Sequence, residues 1–179
     1  MVPRDGIRGK RHRLLGPRQP AATPPAAPKP ATPVISASPA NRRIRVLFVC
    51  IGNAIRSQMA ETFARAYGAD VIQPSSAGVS PAPSIPIQTR QILEEHNLRL
   101  HEDCYPKTIE EAAQMGIDLI VNMTGIPVAL GATRVIEWKV ADPIGQPDAA
   151  YRAAAKQIEA LVMRLILELR TEPRTAGLG

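Results

Sequence analysis

IRVLFVCIGNAIRSQMAE, residues 44–61, is the stretch on which the fold turns. Its first seven residues, Ile44 to Cys50, are almost continuously apolar, and so short a run reads as a strand buried on both faces of a parallel sheet. Met59, Ala60, Phe63, Ala64 and Tyr67 then recur at helical spacing, with Gly68 as the stop. Between strand and helix lies the loop Cys50-Ile-Gly-Asn-Ala-Ile-Arg56-Ser57. In an open α/β sheet the first strand-to-helix loop is the usual anion site. Gly52 is read as giving this loop its tight curvature, and Ser57 as a hydroxyl N-cap for the helix.

Working outward, Val71 and Ile72 begin a weaker strand that leads to a turn at Gly78. Pro81, Pro83 and Pro86 hold an extended loop before a helix with Ile92 and Leu93 on its inner face. Thr108 and Glu111 make a capping-box pattern for a short helix ended by Gly116. Asp118 to Met123 and Val135 to Val140 read as further strands. Ile158, Leu161, Val162, Leu165, Ile166 and Leu169 form one stripe on a final helix of about five turns. Strand and helix alternate throughout, which predicts an α/β three-layer sandwich with a parallel sheet.

Composition separates this domain from what precedes it. The formal charge of +6 divides into +9 over residues 1–45 and −3 over residues 46–179, so the basic balance belongs to the N-terminal segment. Nucleic-acid binding is therefore not expected of the folded domain. Residues 1–42 are rich in Pro and Ala, without apolar periodicity, and are expected to be a disordered tail. The Arg-rich opening reads as a solvated extension rather than a targeting address, because Pro3, Gly6, Gly9 and Pro17 interrupt it. Residues 43–170 are expected to form the domain and residues 171–179 a flexible end. No apolar run approaches the ~18 residues of a membrane span. Two cysteines without a secretion signal suggest a reducing, cytoplasmic setting.

The loop at Cys50 carries the chemistry. Backbone N–H groups in such a loop converge on a bound anion, and the helix N-terminus adds partial positive charge. The same field favours a thiolate on Cys50 near neutral pH. Arg56 supplies a planar fork of donors suited to a tetrahedral oxyanion, and Ser57 is placed to hydrogen-bond the thiolate. A lone cysteine at a strand end is ordinarily a small buried hydrophobe; the arginine six residues on and the intervening glycine set this one apart. His12, His96 and His101 make no ligand cluster and are read as surface or structural residues, Cys104 as an incidental thiol and Trp138 as a half-buried strand aromatic.

Val49-Cys-Ile-Gly-Asn-Ala-Ile-Arg-Ser-Gln-Met-Ala-Glu61 resembles the phosphate-binding signature of the low-molecular-weight protein tyrosine phosphatases and the related arsenate reductases. Ser76-Ala-Gly78, Asp118-Leu-Ile-Val121 and Asp142-Pro143 extend the likeness over roughly residues 43–170. The resemblance implies a small sheet of about four parallel strands in flavodoxin-like order. It also implies a phosphomonoester hydrolase working through a phosphocysteine, with phosphorylated protein or a small aryl phosphate as substrate and neither metal nor cofactor. Cys50 would be the nucleophile. The amides of Ile51, Gly52, Asn53, Ala54, Ile55 and Arg56, with the Arg56 side chain, would bind the phosphate. Asn53 would hold the loop's shape, Ser57 would support it, and Asp142 would serve as general acid and then base.

Departures from the pattern bear on the substrate. Ile55 stands where many phosphatases of the family have a second cysteine, which removes a vicinal disulfide as protection for Cys50. Ile144-Gly145 replaces the aromatic residues that usually follow Asp-Pro. Gln58, where those phosphatases commonly have Pro, leans toward the arsenate reductases, yet the relay positions of the thioredoxin-coupled enzymes hold Thr124 and the Gly131 region. The alternatives are thus a single-cysteine arsenate reductase that borrows an external small thiol, or an anion-binding sensor without catalysis.

Overall fold

The computed structural model describes residues 42–172. Four strands, β1 (Ile44–Cys50), β2 (Ile72–Gly78), β3 (Leu119–Asn122) and β4 (Arg134–Glu137), form one sheet. Their order is β2-β1-β3-β4 and all pairings are parallel, the flavodoxin-like arrangement. Helices α1 (Arg56–Tyr67), α2 (Ile87–Glu95), α3 (Ile109–Ala113) and α4 (Asp148–Thr171) cover the two faces.

The alternation of side chains along β1 divides the core. Val46, Phe48 and Cys50 face a large cluster with Met59 and Phe63 of α1, Ile92 of α2 and Ile158, Val162 and Ile166 of α4. Leu47 and Val49 face a smaller cluster with Ala77, Ile120 and Ala112 of α3. Both faces of β1 are therefore dry, as its unbroken apolar run requires.

Several elements differ from their expected extent: β3 is shorter by a residue at each end and α3 ends at Ala113, before Gly116. The last helix is 24 residues long, longer than the expected five turns, because it begins at Asp148. Its first part is alanine-rich, which favours helix but shows no large apolar stripe, and Tyr151, Ala154 and Ala155 bury that part. β4 starts one residue earlier than expected and stops at Glu137, since beyond it the Val140 carbonyl is taken by Arg56 rather than by the ladder. Of the capping box, Thr108 Oγ1 does accept from the Glu111 N–H at 3.2 Å, but the Glu111 carboxylate accepts from the Tyr105 hydroxyl. The expected tail and C-terminal end lie outside the described residues except at their inner edges. There Arg42 donates to Asp118, and α4 continues to Thr171. No helix among the described residues is long and apolar enough to cross a membrane.

Asp118 fastens the start of β1 to β3. Its carboxylate accepts from Arg45 N at 2.9 Å, Arg45 Nε at 3.0 Å and Arg45 Nη2 at 2.8 Å. Arg45, aided by Arg42, holds this carboxyl far below the usual carboxylate range. A depressed folded value means the stabilisation is fully present above the unfolded value of ~3.9 and is lost as pH falls below it. Asp118→Asn is expected to cost about 1–3 kcal/mol at neutral pH. Thermal melts should show the gap between variant and parent closing as the pH is lowered from 7 to 3. A gap that stays constant would contradict the assignment.

Candidate active site

The loop from Cys50 to Ile55 leaves β1 at its carboxyl end, and its carbonyls are all occupied. Cys50 O accepts from Val79 N, Ile51 O from Ser80 N, Gly52 O from Ala82 N and Ile55 O from Met59 N. Asn53 O accepts from Gln58 Nε2 at 3.0 Å, and Ala54 O from Thr89 Oγ1 at 3.1 Å. In a trans peptide the carbonyl of one residue and the N–H of the next point in opposite directions. Carbonyls tied to the surrounding structure therefore turn the N–H groups of residues 51–55 the other way. Among the described residues no acceptor meets those N–H groups. The result is a ring of N–H donors turned to the concave side of the loop.

Asn53 shapes the ring. It is fully buried and left-handed, with φ at +48°, a conformation that asparagine tolerates better than most residues. Its Oδ1 accepts from Lys107 N at 2.8 Å and its Nδ2 donates to Ser57 Oγ at 2.9 Å. The tight bend was expected of Gly52, but a left-handed φ occurs at Asn53 instead, and a Cβ on Gly52 would meet only ordinary contacts. The glycine without spare room is Gly78: a Cβ there would lie 2.8 Å from both Asn53 N and Ile51 O. The loop can rest on the end of β2 only because Gly78 has no side chain.

Ser57 is not the N-cap. The helix starts one residue earlier, at Arg56, with Ile55 at the cap position and no side-chain cap. The Ser57 hydroxyl lies 3.0 Å from Cys50 Sγ, and because it accepts from Asn53 Nδ2 its own proton is free to point at the sulfur. Cys50 is almost completely buried at the base of the ring. Gln58, also fully buried, donates to the loop at Asn53 O and to Tyr105 O at 3.3 Å, so it braces the loop.

Arg56 is the other half of the arrangement. Its side chain is only 5% exposed, with Nη1 donating to Met123 O at 2.7 Å and Val140 O at 3.2 Å and Nη2 to the Asp142 carboxylate. Its Nε is buried and without an acceptor among the described residues. Cys50, Gly52, Ala54, Ile55, Arg56 and Asp142 line one small concavity, closed at the side by Ala82 and Ile144. Of the expected site residues, Ile51, Asn53 and Ser57 are not in that lining, though Asn53 and Ser57 join the loop through their hydrogen bonds to each other and to the sulfur. Gln58, Gly78, Thr89 and Lys107 also serve the loop; Gln58 and Gly78 lie in stretches that carry the family resemblance, whereas Thr89 and Lys107 carry no sequence signal beyond a polar residue type.

The remaining candidates lie elsewhere. Cys104 contacts the Glu61 and Asp103 carboxylates, and burial, reinforced by Glu61, pushes its thiol up to about 11. Glu61, Asp103 and Cys104 bring ligand atoms within 4.8 Å of one another, a grouping that spacing did not reveal. Arg65 already supplies the cation there, with Nη2 2.5 Å from Glu61 and Nη1 3.6 Å from Asp103; the two carboxylates are met by a guanidinium rather than by a metal ion. His96 pairs with Glu159 and His101 with Asp103. Trp138 packs on Phe48 at 5.8 Å between ring centroids and also lines a cavity that reaches Arg56.

The family model of the low molecular weight phosphotyrosine protein phosphatases matches residues 45–129. A solved arsenate reductase from Archaeoglobus fulgidus is 33% identical; the alignment covers 68% of this chain and 98% of that one, with a TM-score of 0.61. The chain belongs to this family. Within the low molecular weight phosphatase family it resembles members of differing activity. A glutaredoxin arsenate reductase from Synechocystis is 29% identical over 130 residues, covering 70% of this chain and 98% of that one. A protein-arginine-phosphatase from Geobacillus stearothermophilus is 28% identical over 146 residues, covering 72% and 97%. Membership in this family makes the chain an enzyme of the phosphatase and arsenate reductase group.

Proposed function

We propose that the protein is a phosphomonoester hydrolase that acts on phosphotyrosine or other aryl phosphates through a phosphocysteine. The observation that carries this reading is the donor ring: occupied carbonyls outside, unpartnered N–H groups inside, Cys50 at the base and Arg56 at the side. Such fixed donors stabilise the equatorial oxygens of a phosphoryl group in flight and need no reorganisation at the moment of reaction. The Cys50 thiolate attacks phosphorus, the P–O bond breaks, and the leaving oxygen takes a proton from Asp142. Water then attacks phosphorus, the P–S bond breaks, the thiolate is regenerated, and Asp142 takes the proton from water. Asp142 lines the same concavity as Cys50 and is held there by Arg56 and by the Ile144 N–H at 3.2 Å. A phosphorylated protein or small aryl phosphate is the fitting partner, and a reducing, cytoplasmic setting suits a working thiol.

The full chain should hydrolyse p-nitrophenyl phosphate in the presence of a chelator. Asp142→Ala should slow turnover about 10²-fold or more for alkyl phosphates, whose leaving group needs the proton, and much less for p-nitrophenyl phosphate. Equal losses on both substrates would remove Asp142 as the acid.

Similarity to the Archaeoglobus and Synechocystis reductases supports a second reading, reduction of arsenate. Thr124 and the Gly131 region stand at the relay positions, and Cys104 is a protonated thiol beside Glu61. The two electrons would therefore come from external small thiols, which become a disulfide as As(V) becomes As(III). Arsenate-dependent consumption of a small thiol, measured beside phosphate release on one preparation, decides between the two.

A further inference from the structure

The concavity over Cys50 measures about 30 Å³, room for little more than a phosphoryl group. A much larger cavity, about 650 Å³, opens on the other flank of Arg56, within the size range of small-molecule sites. One wall is the turn after β3, with Met123, Ile126 and Pro127; the other is the end of β4, with Trp138 and Lys139. Arg56 borders both spaces, and its Nη1 ties the carbonyls of Met123 and Val140 on the two walls.

The larger cavity has a prepared wall. Asn122 is fully buried and donates Nδ2 to Ile126 O at 2.7 Å and Glu137 Oε1 at 3.0 Å. Its Oδ1 accepts from Thr124 N at 2.9 Å and Thr124 Oγ1 at 2.7 Å, and Thr124 Oγ1 accepts in turn from Ile126 N at 3.0 Å. This pinned turn holds the Ile126 side chain 52% exposed. Ile126 has counterparts: Ile51 follows β1, Val79 follows β2 and Ile144 lies beyond β4, all among the exposed large hydrophobics. Of these, Ile126 lines the larger cavity and Ile144 the smaller, so each space has an exposed aliphatic side chain at its edge.

We propose that the 650 Å³ cavity is a side-chain subsite, and that the substrate is a phosphorylated polypeptide with a large apolar residue one or two positions from the phosphorylated one. This rests on the phosphatase reading. Arg56 lines both spaces, so they adjoin, and an extended chain advancing ~3.3 Å per residue suits an occupant that reaches from one into the other. A free aryl phosphate places only its phosphoryl group over Cys50 and leaves the larger cavity unfilled. Glu137 and Lys139 set opposite charges at the cavity's edge and the Arg56 guanidinium is paired with Asp142, so the lining suits an apolar group and not a charge. A buried apolar anchor of this kind is how extended substrates are ordinarily selected.

The test uses the full chain and phosphotyrosine peptides in an alanine background, with leucine placed in turn two before, one before, one after and two after the phosphotyrosine. In kcat/KM one leucine peptide should exceed the all-alanine peptide by about 10-fold or more, and in Ile126→Asp that ratio should fall close to ~1. Equal rates for all peptides in the parent chain, or a preference unchanged in Ile126→Asp, would overturn the inference. p-Nitrophenyl phosphate is assayed alongside. Its hydrolysis with no peptide turned over overturns the subsite alone, whereas failure to hydrolyse it removes the phosphatase reading and the subsite with it.

Discussion

Replacing Cys50 with serine is expected to reduce chelator-resistant hydrolysis of p-nitrophenyl phosphate by about 10³-fold or more. Serine is nearly the shape of cysteine, so packing at this almost fully buried position is little disturbed. What changes is the nucleophile: at neutral pH a hydroxyl in the donor ring is not an anion, and Asp142, which must give its proton to the leaving group in the same step, is not the base to make it one. The neighbours confirm that the difference lies in chemistry and not in folding. Ser57 Oγ, 3.0 Å from Sγ, can bond a serine oxygen equally well, and the donors of residues 51–55 do not depend on the side chain. The variant should therefore still bind inorganic phosphate or vanadate while failing to turn over. Near-parent turnover in Cys50→Ser would leave the donor ring as a binding site with the chemistry elsewhere.

Arg56→Lys is the second large effect. A lysine keeps the charge but loses the fork, whose Nη1 and Nη2 serve two backbone carbonyls and the Asp142 carboxylate while the buried Nε has no acceptor among the described residues. Losing a fixed donor to the transition state costs about 10²–10³ in kcat. The carbonyls of Met123 and Val140 also lose their donor, at about 1–3 kcal/mol for a buried polar group left unsatisfied. Arg56→Lys should therefore be both slow and less stable, whereas Cys50→Ser is slow only. Thermal melts beside kcat separate the two, and an Arg56→Lys chain as stable as the parent would mean that the guanidinium does not brace the walls.

Much of this was legible because the informative residues are neighbours in sequence. The strand Ile44–Cys50 has the predicted bounds because an apolar run buried on both faces has only one way to be satisfied. Cys50, Asn53, Arg56 and Ser57 meet because one tight loop carries them all. Asp142 was reachable through its resemblance alone, since an Asp-Pro step is an ordinary turn opener. The pairings of the supporting residues were not legible. Thr89 reaches Ala54, Lys107 reaches Asn53 and Gly78 lies under Ile51 across long separations in sequence, and no local pattern encodes such pairings. Ser57 was misread as a cap because a hydroxyl before a helical stripe usually is one; here the sulfur and Asn53 hold it instead. The misplaced bend has a similar cause, since glycine is the usual left-handed residue but Asn53, tied by both ends of its amide, takes that conformation.

The central claim is that phosphorus passes through the sulfur of Cys50. Mixing the full chain with an aryl phosphate, quenching in acid within milliseconds and mapping the peptides tests it most directly. Phosphate is expected on the peptide that contains Cys50, formed in a burst with the first equivalent of released phenol. Turnover with no phosphorylated peptide at any quench time, or with the label on a residue other than Cys50, would contradict it.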